Sequence, residues 1–158
     1  MIRSAAVAGP LRYDEDKAFS LMDDAATVSR IVRTASPEQL RSARFGEWNA
    51  IDLIGHLTDV AEVFAERVRR ALEEDTPTLA SIPEGMSGDP HRDAMDLARR
   101  LLRAHQRIVA YLQTPGAAAR PAVHSEWGRV DAGHIATYQA DHAREHVAEL
   151  SAVFPPEG

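Results

Sequence analysis

Asn49-Ala50-Ile51-Asp52-Leu53-Ile54-Gly55-His56-Leu57-Thr58-Asp59-Val60-Ala61-Glu62-Val63-Phe64-Ala65-Glu66-Arg67-Val68 reads as the start and body of a long amphipathic helix. Ile54, Leu57, Ala61, Phe64 and Val68 recur at three and four residues and form one apolar stripe, which Leu53, Val60 and Val63 widen on one side. Asn49 suits the cap position, and Asp52, three residues on, suits the positive end of the helix dipole. The pattern carries to about Glu74. At about 100° per residue, His56 falls among the widening residues and nearly in line with Arg67. A flank position of this kind lets a side chain line a cleft instead of being sealed in the core.

Working outward, Thr76 to Pro90 holds three prolines and two glycines and reads as a long loop. Asp89 with Pro90 then predicts the start of another helix, whose core face is Ala94, Leu97, Leu101, Ile108 and Leu112, with His105 on the same face. Thr114 to about Arg129 is a second long connection, broken by Pro115-Gly116 and Pro121. The last long helix is expected from near Asp131 to just before Pro155-Pro156, buried through Ala132, Ile135, Ala136, Ala143, Val147 and Leu150. Upstream, Asp14 to Arg33 is a helix with Ala18, Leu21, Ala25, Val28 and Val32 inward, and Ser36-Pro37 predicts a short turn of helix that leads to Phe45-Gly46-Glu47-Trp48. Residues 1–13 are expected to be a flexible leader and 14–154 a single domain. No strand is convincing. Four helices of about twenty residues, joined by one short and two long connections, imply an all-α four-helix bundle.

The chain of 158 residues has a formal net charge of -6, which leaves no general basic field for nucleic acid. Arg67-Val68-Arg69-Arg70 is flanked by Glu66, Glu73, Glu74 and Asp75 and reads as a salt-bridged, solvated face. The absence of cysteine excludes disulfides, thiolate metal sites and a cysteine nucleophile. No apolar run approaches the ~20 residues of a membrane span, so no membrane association is expected and a cytoplasmic location is the default.

The chemistry concentrates in histidines. In Ala140-Asp141-His142-Ala143-Arg144-Glu145-His146-Val147 the two imidazoles sit four apart, one above the other on a helix, as in metal-binding helices. His56 is the best third candidate. Three neutral imidazoles leave open positions on a divalent ion, which is the catalytic pattern. The competing reading is histidines hydrogen-bonded to neighbouring carboxylates such as Asp59, Asp141 and Glu145, the same groups that could instead orient the imidazoles. His105 reads as a hydrogen-bonded core residue and, in reserve, a cleft-lining group. His124, beside Trp127, could reach the mouth of a cleft. His134 is expected on the polar face of its helix, and His91 in solvent. Trp48 and Trp127 read as apolar plugs at the bundle end, with stacking on a substrate as the alternative. Arg67 has no acidic partner three or four residues away, so it pairs with another helix, faces solvent, or binds an anionic substrate group.

Gly46-Glu47-Trp48-Asn49, then Ile54-Gly55-His56-Leu57-Thr58-Asp59, then Phe64 and Arg67, resemble the G-x-W-s, l-g-H-L-x-D and F-x-x-R pattern of the DinB-like (YfiT-like) metalloenzymes. His124-Ser125-Glu126-Trp127-Gly128 followed by Asp141 to His146 resembles the end of the same pattern, although here Asp141 precedes the first histidine of the pair. The resemblance runs from about residue 14 to 152. It implies an up-up-down-down four-helix bundle with a three-histidine centre carried by His56, His142 and His146, binding zinc or nickel. It also implies a small-molecule substrate, with activation of a low-molecular-weight thiol or of water. Relatives with assigned chemistry include thiol-dependent S-transferases and a mycothiol-dependent maleylpyruvate isomerase, and homodimers are frequent. The rival expectation is a dimeric helical bundle that binds a metal or apolar ligand without catalysis.

Overall fold

A computed structural model describes residues 11–82 and 92–156. Four long helices form the body: α1 (Glu15–Thr34), α3 (Ala50–Glu73), α4 (Ala94–Tyr111) and α5 (Ala132–Val153), with a short α2 (Pro37–Ser42) between the first two. Local chemistry fixes their starts. Asp14 accepts from the Lys17 N–H, and Asp131 from the His134 N–H. Ser36 with Gln39, and Asn49 with Asp52, form reciprocal capping boxes that satisfy otherwise orphaned backbone donors. α4 is capped by Asp93 rather than by Asp89, which lies outside the described residues with Pro90 and His91.

The apolar stripes turn inward. Leu21, Ile31, Ile54, Leu57, Phe64, Leu97, Leu101, Ile108, Ile135 and Leu150 are buried and belong to one core. Each such side chain contributes about 1.5–3 kcal/mol by leaving water. Leu112 and Ala94, expected in this core, are only partly buried and pack against its edge.

α1 and α3 each pack on α4 and on α5, so α1 faces α3, and α4 faces α5, across the diagonals of the bundle. α1 and α5 run the same way, since Lys17 meets Asp141 at one end and Arg30 meets Phe154 at the other. α3 runs against α5: His56 meets His142 while Phe64 meets Tyr138. α3 and α4 run the same way, since Thr58 donates to the Leu97 carbonyl and, one turn further along both helices, Glu62 pairs with Arg100. α3 and α4 therefore end at the same pole, and the order is up, down, down, up instead of the up-up-down-down arrangement expected from the resemblance.

The expectation of no strands also fails. β1 (Arg44–Phe45) pairs antiparallel with β2 (Trp48–Asn49) around Gly46, whose φ of 66° is in the left-handed region. A second small sheet joins the two long connections: β3 (Thr78–Leu79) lies parallel to β4 (Pro121–His124), which pairs antiparallel with β5 (Gly128–Asp131). Burial along β4 alternates, with Ala122 and His124 inward and Val123 outward, a period of two that is masked in the sequence by Pro121 at the head of the strand and Pro115-Gly116 before it. No helix among the described residues is long and apolar enough to cross a membrane.

Candidate metal centre and cleft

His56 sits two turns into α3, and His142 and His146 lie on successive turns of α5. Because those helices are antiparallel neighbours, their flank positions face each other. The Nε2 of His142 is 3.4 Å from that of His56 and 3.1 Å from that of His146. One nitrogen from each ring falls within 4.8 Å of the others. The rings meet edge to face, with centroids 4.5 to 5.3 Å apart.

The hydrogen bonds behind the cluster set what these nitrogens offer. His146 Nδ1 is 2.7 Å from the Glu149 carboxylate, so in the neutral ring Nδ1–H donates there and the Nε2 lone pair faces the cluster. His142 is driven down to about 4 by burial and by the neighbouring His146 and His56 rings, so it is neutral at pH 7. Its Nδ1 is buried with no hydrogen-bond partner. Three imidazoles thus converge through nitrogens that hydrogen bonds among the rings alone cannot all satisfy. That donor set fits a divalent metal ion.

Trp48 covers one side, its ring 4.8 Å from His56. From the cluster a cleft of about 330 Å³ runs along the α3–α5 groove, floored by Val60, Phe64 and Arg67 of α3 and by Tyr138 of α5. The β4–β5 turn closes its far wall with His124, Glu126 and Trp127. Trp127 lies 4.0 Å from His124 and 4.5 Å from Tyr138, centroid to centroid, so it is part of the cleft wall. His124 is buried, and its Nδ1 accepts the N–H groups of Glu126 and Trp127 at 3.0 and 3.2 Å. Gly128, with φ 75°, completes that turn, which accounts for the His-x-x-x-Gly spacing.

The carboxylates expected beside the imidazoles are engaged elsewhere. Asp59 receives two hydrogen bonds from Arg92 at 2.6 and 2.8 Å, and Asp141 pairs with Lys17 at 2.7 Å. Glu145 is exposed, and the carboxylate hydrogen-bonded to the cluster among the described residues is Glu149. Its position three residues after His146 was the signal that identifies it. His105 is a core residue: Nδ1 lies 2.6 Å from the Leu21 carbonyl and Nε2 3.1 Å from Gln139, and it does not line the cleft. His134 departs from its expected exposure. Leu11 donates to its Nδ1 at 3.0 Å and the Trp127 ring lies 5.4 Å away, because the segment before α1 and the hairpin both cover that face of α5.

A square helical bundle with three imidazoles facing one another at the head of a cleft is the class of molecule this chain defines. The sequence matches the family model of the DinB superfamily over residues 22–150, and the chain belongs to that superfamily. Its fold is similar to that of YfiT from Bacillus subtilis, described as "a probable metal-dependent hydrolase with an unusual four-helix bundle topology", at 20% identity and a TM-score of 0.68. That similarity covers 94% of this chain and 96% of YfiT. No functionally curated protein matches the sequence at a significant level.

Proposed function

We propose that this protein is a metal-dependent enzyme acting on a small molecule, with His56, His142 and His146 as the ligands of a divalent ion, zinc or nickel by donor type. One observation carries the reading: three Nε2 atoms from two helices converge at the head of a cleft that is large enough for a small substrate. A divalent ion held by three imidazoles supplies Lewis acidity and lowers the pKa of a water or thiol that reaches it. Glu149 fixes the tautomer and orientation of His146, and the burial of His142 keeps that ring neutral and available as a donor. Trp48 shields His56 from one side, while Phe64, Tyr138 and Trp127 give the cleft apolar walls that exclude water from a bound substrate.

The chain has no cysteine, so a thiol nucleophile comes from a cosubstrate, and S-transfer or thiol-assisted isomerisation stands beside hydrolysis as the reaction class. The test is metal analysis of protein purified without a histidine tag. One divalent ion per chain in the wild type, lost in His56→Ala, supports the reading; a metal-free wild type after repletion leaves a bundle that binds no ion there. The loaded protein is then assayed with low-molecular-weight thiols plus electrophiles, and with simple esters and amides.

A further inference from the structure

We infer that the end of the cleft remote from the imidazoles is an anion seat, formed by Arg67 and His124, which holds a carboxylate or phosphate group of the substrate. The inference rests on the cleft being the substrate site, and it names what enters it.

Arg67 is 8% exposed and lines the cleft. A guanidinium presents five N–H donors in a planar fork. Here one hydrogen bond goes to the Ala80 carbonyl, and the guanidinium also lies 5.4 Å from the centre of the Phe64 ring. No carboxylate among the described residues pairs with it. The other arginines bound to acidic groups in this fold, Arg69, Arg70, Arg92 and Arg100 among them, show what a satisfied guanidinium looks like here. Burial and the neighbouring Arg70 both push Arg67 below its ordinary pKa, the mark of a buried charge whose surroundings do not balance it. An incoming oxyanion would supply that balance.

His124 offers a second donor at the same end. Its Nδ1 accepts two backbone N–H groups, so the ring proton is on Nε2. Burial and Arg67 hold it below its ordinary pKa, which keeps it a neutral N–H donor. The one carboxylate on this part of the wall among the described residues, Glu126, is bonded to the Ser81 hydroxyl, itself 3.1 Å from Ser125. A fork and an imidazole N–H at one end recognise an oxyanion geometrically as well as by charge. Eleven residues of helix separate His56 from Arg67, about 16 Å along the axis. The substrate is therefore an elongated small molecule, anionic at one end and reactive at the other.

The test needs neither metal nor turnover. Inorganic phosphate and acetate, each balanced against chloride at constant ionic strength, are titrated into the metal-free protein while the side-chain Nε–Hε resonance of Arg67 is followed. Saturable shifts are expected with at least one of the two, and the tighter anion identifies the group as phosphate or carboxylate. The affinity should fall at least fivefold in Arg67→Gln, read on the His124 ring resonances, and less in Arg67→Lys, which keeps the charge but loses the fork and serves if the glutamine variant does not fold. Binding should persist in His56→Ala, so loss of the metal reading leaves this one standing. Linear shifts indistinguishable from those of chloride, or an affinity unchanged in both Arg67 variants, would overturn it.

Discussion

On the α1–α4 side of the bundle, His105 is fully buried with both ring nitrogens bonded, one to the Leu21 carbonyl and one to Gln139. On the α3–α5 side, His142 is also buried enough to be driven to about 4, as His105 is, yet its Nδ1 has no partner and its Nε2 faces two other imidazoles. The same side chain with the same displaced pKa is closed in one place and open in the other. A depressed histidine pKa therefore does not by itself mark a site. What separates the two is where the hydrogen bonds lead: His105 is satisfied by groups that belong to the fold, whereas His142 meets only groups that compete for the same lone pairs.

Exchanging the two rings for alanine tests that contrast. His142→Ala should weaken zinc or nickel binding about a thousandfold, a loss of about 4 kcal/mol, because the two imidazoles left, His56 of α3 and His146 of α5, are a poor chelate. In metal-free protein the same change should alter stability by under about 1 kcal/mol, since little hydrogen bonding is lost. Chelator competition and urea unfolding measure the two quantities. His105→Ala should show the opposite profile: a stability loss of about 3 kcal/mol from the cavity and from the orphaned Leu21 carbonyl and Gln139 amide, with metal stoichiometry unchanged. A metal-free protein that loses as much stability from His142→Ala as from His105→Ala would show that the cluster is also structural.

Asp24 of α1 sharpens the comparison, because it is a buried polar group, facing Arg144 of α5, that remains unsatisfied. Neither carboxylate oxygen accepts a hydrogen bond, and Arg144 approaches only to 3.3 Å. Burial raises its pKa to about 6, with Arg144 pulling down and Asp23 pushing up. The folded protein thus holds the proton more tightly than the unfolded chain does. Stability is greatest where both states are protonated, and falls as the pH rises from about 4 to about 6. Asp24→Asn should raise stability at pH 7 by on the order of 2 kcal/mol and by little below pH 4. Equal effects at both pH values would mean that the ionised form carries no penalty.

The bundle was legible because each long helix shows an apolar stripe with a period near 3.6, and Ser36, Asn49 and Asp131 mark starts through their side-chain oxygens. The convergence of His56 with His142 and His146 followed from flank positions on two helices, given that the helices are neighbours. Their direction and diagonal order did not follow, since stripes say which face is buried and nothing about which helix covers it. β4 and β5 were missed because four-residue strands between prolines and glycines carry too few alternations to outweigh the breakers. His134 was misplaced for a related reason: the residues that bury it come from Leu11 and the hairpin, outside its own helix. Arg67 was readable as lacking an acidic partner on its own helix, but its place on the cleft wall was a matter of tertiary packing.

Glu149 provides the smallest effect and the finest distinction. It is half exposed, so its charge does little for the fold, and Glu149→Gln should change stability by no more than about 0.5 kcal/mol. Glutamine keeps the acceptor oxygen for His146 Nδ1–H but drops the negative charge that makes the imidazole a better donor. Metal affinity should therefore fall about tenfold, and Glu149→Ala, which also frees the ring, should lose more. Glu145→Gln removes the same charge one turn away, from an exposed residue with no bond to the cluster, and should leave affinity nearly unchanged. If Glu145→Gln and Glu149→Gln lower affinity equally, the carboxylate acts as diffuse charge near the site, and the hydrogen bond to His146 orients nothing.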